Sequence, residues 1–459
     1  MRRANVKRKN LLYVFADQWR ASALGFAGKD PVCTPHMDMF AARCVTACAV
    51  SSYPLCSPHR AALLTGKHPL ACGFWTNCKA PMPDSPDLKD SEVCISDVLK
   101  AAGWQTCYVG KWHLQRSETN DSPAPASGAR NWDAYTPPGK GRHGFDFWHS
   151  YGAWDQHLEP HYWEDSPEMI QVREWSPAHE TDVLLDWLSG AVAKKDPFCA
   201  FLSWNPPHPP YDKLPEELQE RYIRPSFEPN VPEAWRKDSR YLKAYHDYFA
   251  AVEGLDGQWG RIMSFLDEHQ LWDDTIIVLS ADHGDMMGSH GLYGKNVWYE
   301  ESIAIPWYLY DACLAPGSRD VLLASEDQAP TLLSLLGVPV PPCMTGLDQS
   351  PALRQDLRGK REAVYLTMIP GMPEQVEPYR KRGMDNKRYG WRGVRTRKWL
   401  YLHHKGTQVG EAEYRLLYDL EHDPYEMHPC QPDERQVARF EGWMRGEAKK
   451  IGDLFYEGE

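Results

Sequence analysis

A cysteine, a proline and an arginine occupy positions 56, 58 and 60 of the chain. Ser57 is suited to the N-cap of a helix and Pro58 to its first turn, while Gly66 is suited to a left-handed end. Cys56 is therefore predicted to lie at or just before a helix start, where backbone N–H groups favour an anion. Arg60 can point to the same place. A nucleophile-sized residue beside an anion-binding helix start and an arginine indicates attack on an oxyanion ester.

The spacing around Cys56 argues against two common kinds of cysteine site. Cys-x-x-x-Arg is shorter than the Cys-x5-Arg cradle of cysteine phosphatases, and the sequence has no Cys-x-x-Cys pair for redox chemistry. On this stretch alone, a buried cysteine before a helix, without chemical function, remains the alternative.

Polar residues that could act with Cys56 follow four short apolar runs. Continuous apolar runs of this length are typical of strands in a parallel sheet that is covered on both faces. Because ligands bind beyond the carboxyl ends of such strands, the four polar clusters should meet on one rim, with Cys56 at the same edge. The runs and their clusters are residues 11–16 before Asp17-Gln18, 106–110 before Lys111-Trp112-His113, Phe198–Trp204 before Asn205-Pro206-Pro207-His208, and Thr275–Ala281 before Asp282-His283-Gly284-Asp285.

Helical patterns separate these runs, which predicts an α/β fold with a doubly wound, mostly parallel sheet. The predicted helices cover residues 92–102, 181–194, 241–269, with a break between Gly254 and Gly260, and 328–336. Residues 115–151 are rich in Pro, Gly and Ser and then in aromatic residues, which predicts a long surface excursion near the active rim.

The last hundred residues predict a smaller α+β domain. Residues 363–366, 391–396 and 399–403 are typical of antiparallel strands, residues 418–426 of a turn, and residues 433–454 of a final helix with Asp433 as its N-cap. The charged segment 351–361 is typical of a linker. We expect a catalytic domain over residues 1–355 and a C-terminal subdomain over residues 356–459.

Composition narrows the partners and the location. The formal net charge is −12, from 51 Lys and Arg against 63 Asp and Glu, and there is no long basic run, which argues against nucleic acid as the main partner. No apolar run reaches the length of a membrane span. The basic start at residues 1–10 precedes an apolar run too short for a signal peptide, so a cytoplasmic location is expected unless an export signal was trimmed.

The motifs together resemble those of the formylglycine-dependent (type I) sulfatases of the alkaline phosphatase superfamily. Cys56-x-Pro58-x-Arg60 with Thr65-Gly66 is similar to their signature. The other matching positions are Asp17-Gln18, residues 110–114, Pro206-Pro207-His208, residues 282–285, Lys295 and, near the C-terminus, Arg395-Thr396, residues 417–420 and Asp423-Pro424. The resemblance implies that a formylglycine-generating enzyme converts Cys56 to formylglycine, an aldehyde whose hydrate is the nucleophile.

The resemblance also implies a role for each matching residue. One divalent ion is expected, Ca²⁺ first and Mg²⁺ or Mn²⁺ as alternatives, because the expected donors are mostly oxygen atoms. Its ligands would be Asp17, Gln18, Cys56 as formylglycine, Asp282 and His283. Three cations, Arg60, Lys111 and Lys295, would surround the sulfate. His113 would deprotonate the second hydroxyl of the hydrate, and His208 or Lys295 would protonate the leaving group.

The expected substrate is a small or oligomeric saccharide sulfate ester. The 19 Trp and 23 Tyr residues could supply stacking platforms for sugar rings. Predicted substrate contacts are Asn77, Trp154, His157 and His161. Many family members have a second Asp where this chain has Gln18, and Asn where it has His283. These two departures resemble other branches of the superfamily, so a phosphonate monoester or phosphodiester hydrolase remains an alternative. A non-catalytic anion-binding protein with unmodified Cys56 is the other alternative.

Overall fold

A large, mostly parallel sheet and a smaller antiparallel sheet organise the computed structural model, which describes residues 8–457. The strands are β1 (Asn10–Ala16), β2 (Val45–Val50), β3 (Gln105–Lys111), β4 (Phe147–Tyr151), β5 (His161–Tyr162), β6 (Ile170–Gln171), β7 (Phe198–Trp204), β8 (Thr275–Ala281), β9 (Ala304–Ile305), β10 (Trp307–Tyr310), β11 (Gly317–Ala324), β12 (Ala363–Met368), β13 (Trp391–Thr396), β14 (Trp399–His404) and β15 (Tyr414–Asp419).

Eleven α-helices accompany these strands in the described part of the chain. They are α1 (Pro35–Ala41), α2 (Cys56–Thr65), α3 (Ile95–Ala101), α4 (Ser176–Lys194), α5 (Glu216–Gln219), α6 (Ser239–Glu268), α7 (Glu300–Ile303), α8 (Gln328–Leu335), α9 (Ser350–Gln355), α10 (Pro373–Arg380) and α11 (Glu434–Ile451). Among these helices, none combines the length and the apolar character that crossing a bilayer requires.

The four strands predicted to carry the polar clusters lie side by side at the centre of the large sheet. Its order is β11-β2-β10-β8-β1-β7-β3-β4, and β8, β1, β7 and β3 run parallel to one another. β1 is buried along its apolar length, as are its neighbours β7 and β8. Burial on both faces explains their continuous apolar runs, so the predicted α/β fold is confirmed.

Five strands of this sheet lay outside the prediction: β2, β4, β9, β10 and β11. β2 is buried only at its two ends and β9 has only two residues, so neither has the continuous buried run of a central strand. β4 closes the predicted surface excursion and joins the sheet edge beside β3. The predicted surface excursion therefore ends in an edge strand of the large sheet.

α6 runs without a break through Gly254 and Gly260, so the predicted interruption is wrong. A Cβ atom on Gly254 would lie 2.5 Å from Leu218 and 2.6 Å from Trp175. A Cβ atom on Gly260 would lie 2.8 Å from the ring of His36. These two glycines let neighbouring side chains approach the helix closely, which does not require them to end it.

The second sheet has the antiparallel order β12-β13-β14-β15 and packs against α11. α11 begins after Asp433, whose side chain accepts a hydrogen bond from Gln436 N, so the predicted N-cap is confirmed. Of the turn predicted over residues 418–426, Tyr418 and Asp419 instead end strand β15, and the turn follows from residue 420. The predicted linker includes helix α9. The boundary at residue 355 stays a prediction.

The signature helix α2 begins earlier than its capping residues indicated. Leu55 occupies the N-cap position and Cys56 is the first helical residue, so Ser57 is not the N-cap. The Ser57 hydroxyl instead accepts a hydrogen bond from Cys78 N. Gly66 ends the helix with φ 61°, as predicted. Cys56 is therefore held at the first turn of a buried helix.

Candidate active site

The polar clusters meet at the carboxyl edge of the central strands, as the sequence predicts. Asp17 follows β1 and Asp282 follows β8, while Lys111 ends β3 and Asn205 follows β7. All four side chains are buried, and the first turn of α2 brings Cys56 to the same edge. The rest of the site is built around this group.

Four side chains form a buried cluster that can hold a metal ion. Single ligand atoms of Asp17, Cys56, Asp282 and His283 all lie within 4.8 Å of one another. His283 Nε2 is 3.3 Å from Cys56 Sγ and 3.6 Å from Asp17 Oδ1. Burial, and then the nearby Asp17 carboxylate, raise the pKa of Asp282. Two carboxylates and an imidazole therefore fit a divalent cation.

Gln18 lies beside this cluster with its amide engaged elsewhere. Its Oε1, the atom expected to bind the ion, accepts a hydrogen bond of 2.6 Å from Lys295 Nζ. Its Nε2 donates to Asp285 Oδ2 at 2.5 Å. The Gln18 side chain therefore connects Lys295 to Asp285 through two hydrogen bonds.

Arg60 lies behind the cluster and does not line the cavity. Its Nη2 is 3.0 Å from Asp17 Oδ2 and 3.1 Å from Asp282 Oδ2. Its Nη1 donates to Lys111 O and to Ser203 Oγ, each at 2.7 Å. Every side of the guanidinium is thereby used to orient two carboxylates and the end of β3, so Arg60 is a positioning residue and not a cation around the substrate.

Two lysines act on Cys56 electrostatically, and one of them, Lys295, contacts it. Lys295 Nζ is 3.1 Å from Cys56 Sγ, and Lys111 Nζ is 2.7 Å from Asp17 Oδ2 and 2.9 Å from Asn205 Oδ1. Burial alone would raise the pKa of the Cys56 thiol, as would Asp17, but Lys295, Lys111 and His283 outweigh them and hold it well below its usual value. The position favours an anion, as expected for a sulfate pocket.

His113 is oriented as a proton acceptor. Its Nε2–H donates to the carbonyl of Cys78 at 2.9 Å, and its buried Nδ1 has no hydrogen-bond partner among the described residues. Burial lowers the pKa of this imidazole, although Cys56 opposes the shift. A neutral ring with a free Nδ1 can take a proton from a group at Cys56.

His208 is oriented as a proton donor. Its Nδ1 lies 3.4 Å from Asp155 Oδ1 and 2.8 Å from Pro209 O. Burial, Lys295 and Lys111 lower the pKa of His208, but Asp155 and Asp17 outweigh them and raise it to about 9. The imidazolium form therefore predominates at neutral pH, which suits a general acid.

These groups open into one cavity of about 310 Å³. Asn77 lines it, with Oδ1 accepting from Ser57 N at 2.9 Å and so closing the start of α2. Sequence reasoning missed several lining residues, which come from loops, from the segment before α10 and from the first turn of α10. They are Thr76, Lys79, Trp132, Ala153, Asp155, Asn296, Gly371, Met372 and Gln375.

The structure brings none of the three predicted aromatic contacts into this cavity. His161 is fully buried, with Nε2 2.6 Å from Asp133 Oδ2, and its ring packs on Trp163. His157 is buried and donates from Nε2 to the carbonyl of His208 at 2.8 Å. Trp154 lines a neighbouring cavity of about 340 Å³ that shares Trp132, Ala153 and Asp155 with the first. His157 and His161 are therefore structural supports.

Two family models match the chain. The model described as Sulfatase matches residues 9–338, and the model described as N-sulphoglucosamine sulphohydrolase, C-terminal, matches residues 288–447.

Individual relatives agree with these models. The chain is 33% identical to an endo-4-O-sulfatase of Bacteroides thetaiotaomicron, over 97% of this chain and 93% of that protein. It is 31% identical to an ulvan-active sulfatase of Formosa agariphila, over 92% of this chain and 76% of that protein. A Bacteroides fragilis crystal structure described as the sulfatase yidJ superimposes with a TM-score of 0.85 at 30% identity, covering 99% of this chain and 98% of the other.

Proposed function

The chain belongs to the sulfatase family and is an enzyme that hydrolyses sulfate esters, and we propose that its substrate is a sulfated saccharide. The observation that carries this proposal is the position of Cys56, which belongs to the buried four-residue cluster and lines the cavity together with Lys111 and Lys295. The names of two relatives, an endo-4-O-sulfatase and an ulvan-active sulfatase, support a glycan substrate.

The proposed nucleophile is the hydrate of formylglycine, made from Cys56 by a formylglycine-generating enzyme. One hydroxyl group of the hydrate gives its proton to Asp282, a carboxylate of the same cluster, as its oxygen attacks sulfur, and the bond from sulfur to the sugar oxygen breaks. His208 gives its proton to the departing alkoxide. His113 Nδ1 then takes the proton of the second hydroxyl, the carbon–oxygen bond to sulfate breaks, and the aldehyde returns. Water restores the hydrate.

One divalent ion, Ca²⁺ by our proposal, would be held by Asp17, Asp282, His283 and the modified residue 56, and would withdraw charge from the sulfate oxygens. Lys111 and Lys295 would bind the same oxygens and stabilise the charge that they keep throughout the reaction. Arg60 would hold the two carboxylates in place. The positions of Lys111 and Lys295 therefore agree with a substrate whose sulfate group stays anionic throughout the reaction.

A second candidate is a phosphonate monoester or phosphodiester hydrolase, favoured by Gln18 and His283 at positions where many sulfatases have Asp and Asn. Both substrates present a tetrahedral anion to the same cations. The two candidates differ in which ester is turned over faster.

The test compares protein made with and without a formylglycine-generating enzyme, alongside Cys56→Ala. Peptide mass spectrometry measures the conversion of Cys56 to the aldehyde, and turnover is measured on an aryl sulfate, an aryl phosphonate and an aryl phosphodiester. We expect sulfate hydrolysis only in the converted protein and a preference for the sulfate. Full activity of protein with a free thiol at residue 56 would contradict the mechanism, and faster phosphonate cleavage would favour the second candidate.

A further inference from the structure

Lys79 is a buried lysine in the cavity wall that the sulfatase chemistry does not use. Only 2% of its surface is exposed, and it lines the cavity that contains Cys56. Its backbone is held at both ends, because Lys79 N donates to Ser85 Oγ and Lys79 O accepts from Asn120 Nδ2. The side chain therefore projects from a fixed point.

The ammonium group of Lys79 lacks a strong partner. Its Nζ lies 3.4 Å from the sulfur of Met372 and 5.2 Å from the centre of the Trp132 ring. A thioether is a weak acceptor, and a ring face attracts a cation only modestly. Among the described residues, no carboxylate lies within 4 Å of this nitrogen. Burying an ammonium with such partners is costly unless another group supplies an anion.

The other cations of the site differ from Lys79 in this respect. Lys111 pairs with Asp17, and Lys295 lies 3.8 Å from the same carboxylate and contacts Cys56. Burial lowers the pKa of Lys79 to about 8, although the exposed Glu374 opposes the shift. Lys111 and Lys295 already have a carboxylate partner, whereas the Lys79 ammonium can still accept an anionic one.

The wall around Lys79 comes from segments far apart in sequence. Trp132 belongs to the excursion between β3 and β4, and Met372 and Gln375 belong to the segment that leads into and forms α10. None of these three residues follows a central strand, although the Trp132 ring centre lies 6.5 Å from that of His113. Such a wall is placed to contact the part of a saccharide that does not react.

We infer that Lys79 forms a second anion subsite, so that the saccharide carries a further anionic group, a carboxylate or another sulfate, close to the sulfate that is removed. This inference rests on the proposed saccharide substrate and narrows it to a polyanionic one. Lys79 donates charge-assisted hydrogen bonds to that group, and Trp132 covers the sugar face beside it.

The experiment uses three disaccharides that share one hydrolysable 4-O-sulfate on a hexosamine. The first has a uronate carboxylate on the second sugar, the next has that carboxyl reduced to a primary alcohol, and the last has a sulfate on that alcohol. Values of kcat/KM are measured for matured wild type, for Lys79→Met and for Lys29→Met, the same change at an exposed lysine.

We expect wild type and Lys29→Met to prefer an anionic disaccharide over the reduced one by roughly 10- to 100-fold, the range of a charge-assisted hydrogen bond. Lys79→Met should bring this ratio close to one. The preference between the carboxylate and the second sulfate then identifies the anion. An equal loss on all three disaccharides would mean that Lys79 serves the reacting sulfate or the fold, and would overturn the inference, as would a wild type without preference.

A binding measurement tests the Lys79 subsite independently of the proposed formylglycine mechanism. Calorimetry measures the same disaccharides on Cys56→Ala and on Cys56→Ala/Lys79→Met, neither of which can be matured. Loss of the anion preference in the double variant supports the subsite even if turnover fails. Equal binding of all three disaccharides to Cys56→Ala overturns the subsite even if an aryl sulfate is hydrolysed.

Discussion

His208 Nδ1 lies 3.4 Å from Asp155 Oδ1, and both side chains line the cavity beside Lys295. Asp155 also accepts from Asn205 Nδ2 at 3.2 Å, which ties it to the end of β7. The carboxylate is one of the two groups that raise the pKa of His208 to about 9, so it helps to keep the acid protonated. Two predictions about proton transfer begin from this arrangement.

Asp155→Asn should move the alkaline limb of the pH–rate profile to lower pH. In the proposed mechanism the imidazolium of His208 is the active form, so activity on a sugar sulfate should fall as pH rises through its pKa of about 9. Removing the carboxylate removes an attraction to the charged form, so that pKa falls. The measurement is kcat/KM from pH 6 to pH 10, with the exposed Asp146→Asn as control. An unmoved alkaline limb would show that Asp155 does not tune His208.

His208→Ala should slow sugar sulfates far more than activated aryl sulfates. A sugar alkoxide needs a proton as its bond to sulfur breaks, and general acid catalysis supplies roughly 10²–10⁴-fold. A nitrophenolate leaves at neutral pH almost without help. Steady-state kinetics on both substrates make the comparison. Equal losses would mean that His208 binds the sulfate and that Lys295 is the remaining candidate for the acid.

His113→Ala should trap the enzyme after one turnover. With its Nε2–H bound to Cys78 O and no partner for its Nδ1 among the described residues, His113 is the proposed base for the second hydroxyl. Without that base the sulfate ester on residue 56 should accumulate with either substrate. A burst of one product per enzyme, with a mass increase of one sulfate on the Cys56 peptide, would show it. A uniform slowing without trapped enzyme would contradict this role.

Asp282→Asn should remove bound metal together with activity. Asp282 is one of the two buried carboxylates in the four-residue cluster, and it receives the Arg60 Nε–H at 3.1 Å. We expect metal affinity to fall at least ~10-fold, because losing a residue that only hydrogen-bonds to a metal ligand already lowers affinity by that factor. Elemental analysis and calorimetry with Ca²⁺, Mg²⁺ and Mn²⁺ measure it, and thermal unfolding checks the fold. Full activity of wild type after exhaustive chelation would remove the metal from the mechanism.

Several predictions succeeded because they depend on residues close together in sequence. The runs that became β1, β7 and β8 are apolar from end to end, and each is followed at once by its polar cluster. Parallel strands that end at one edge must bring such clusters together, whatever the details of packing. The α/β class followed from the same pattern.

Other parts needed information about neighbours that the chain brings from far away. The break expected in α6 failed because Gly254 meets Trp175 and Leu218, which belong to other elements. His161 was predicted to contact substrate because aromatic residues surround it in sequence. Its ring is instead buried and hydrogen-bonded to Asp133. A motif of single residues does not reveal whether its side chains face a cavity or a core.

The sequence by itself determined which residues stand at the strand ends and that Cys56 lies at or just before the start of a helix. Tertiary structure alone decided which way those residues turn. It set Arg60 behind the carboxylates, and it left Lys79 facing the cavity between Trp132 and Met372. The physical reason is that strand and helix formation follow local burial and backbone preferences. The charge partner of a buried side chain depends instead on contacts between distant segments.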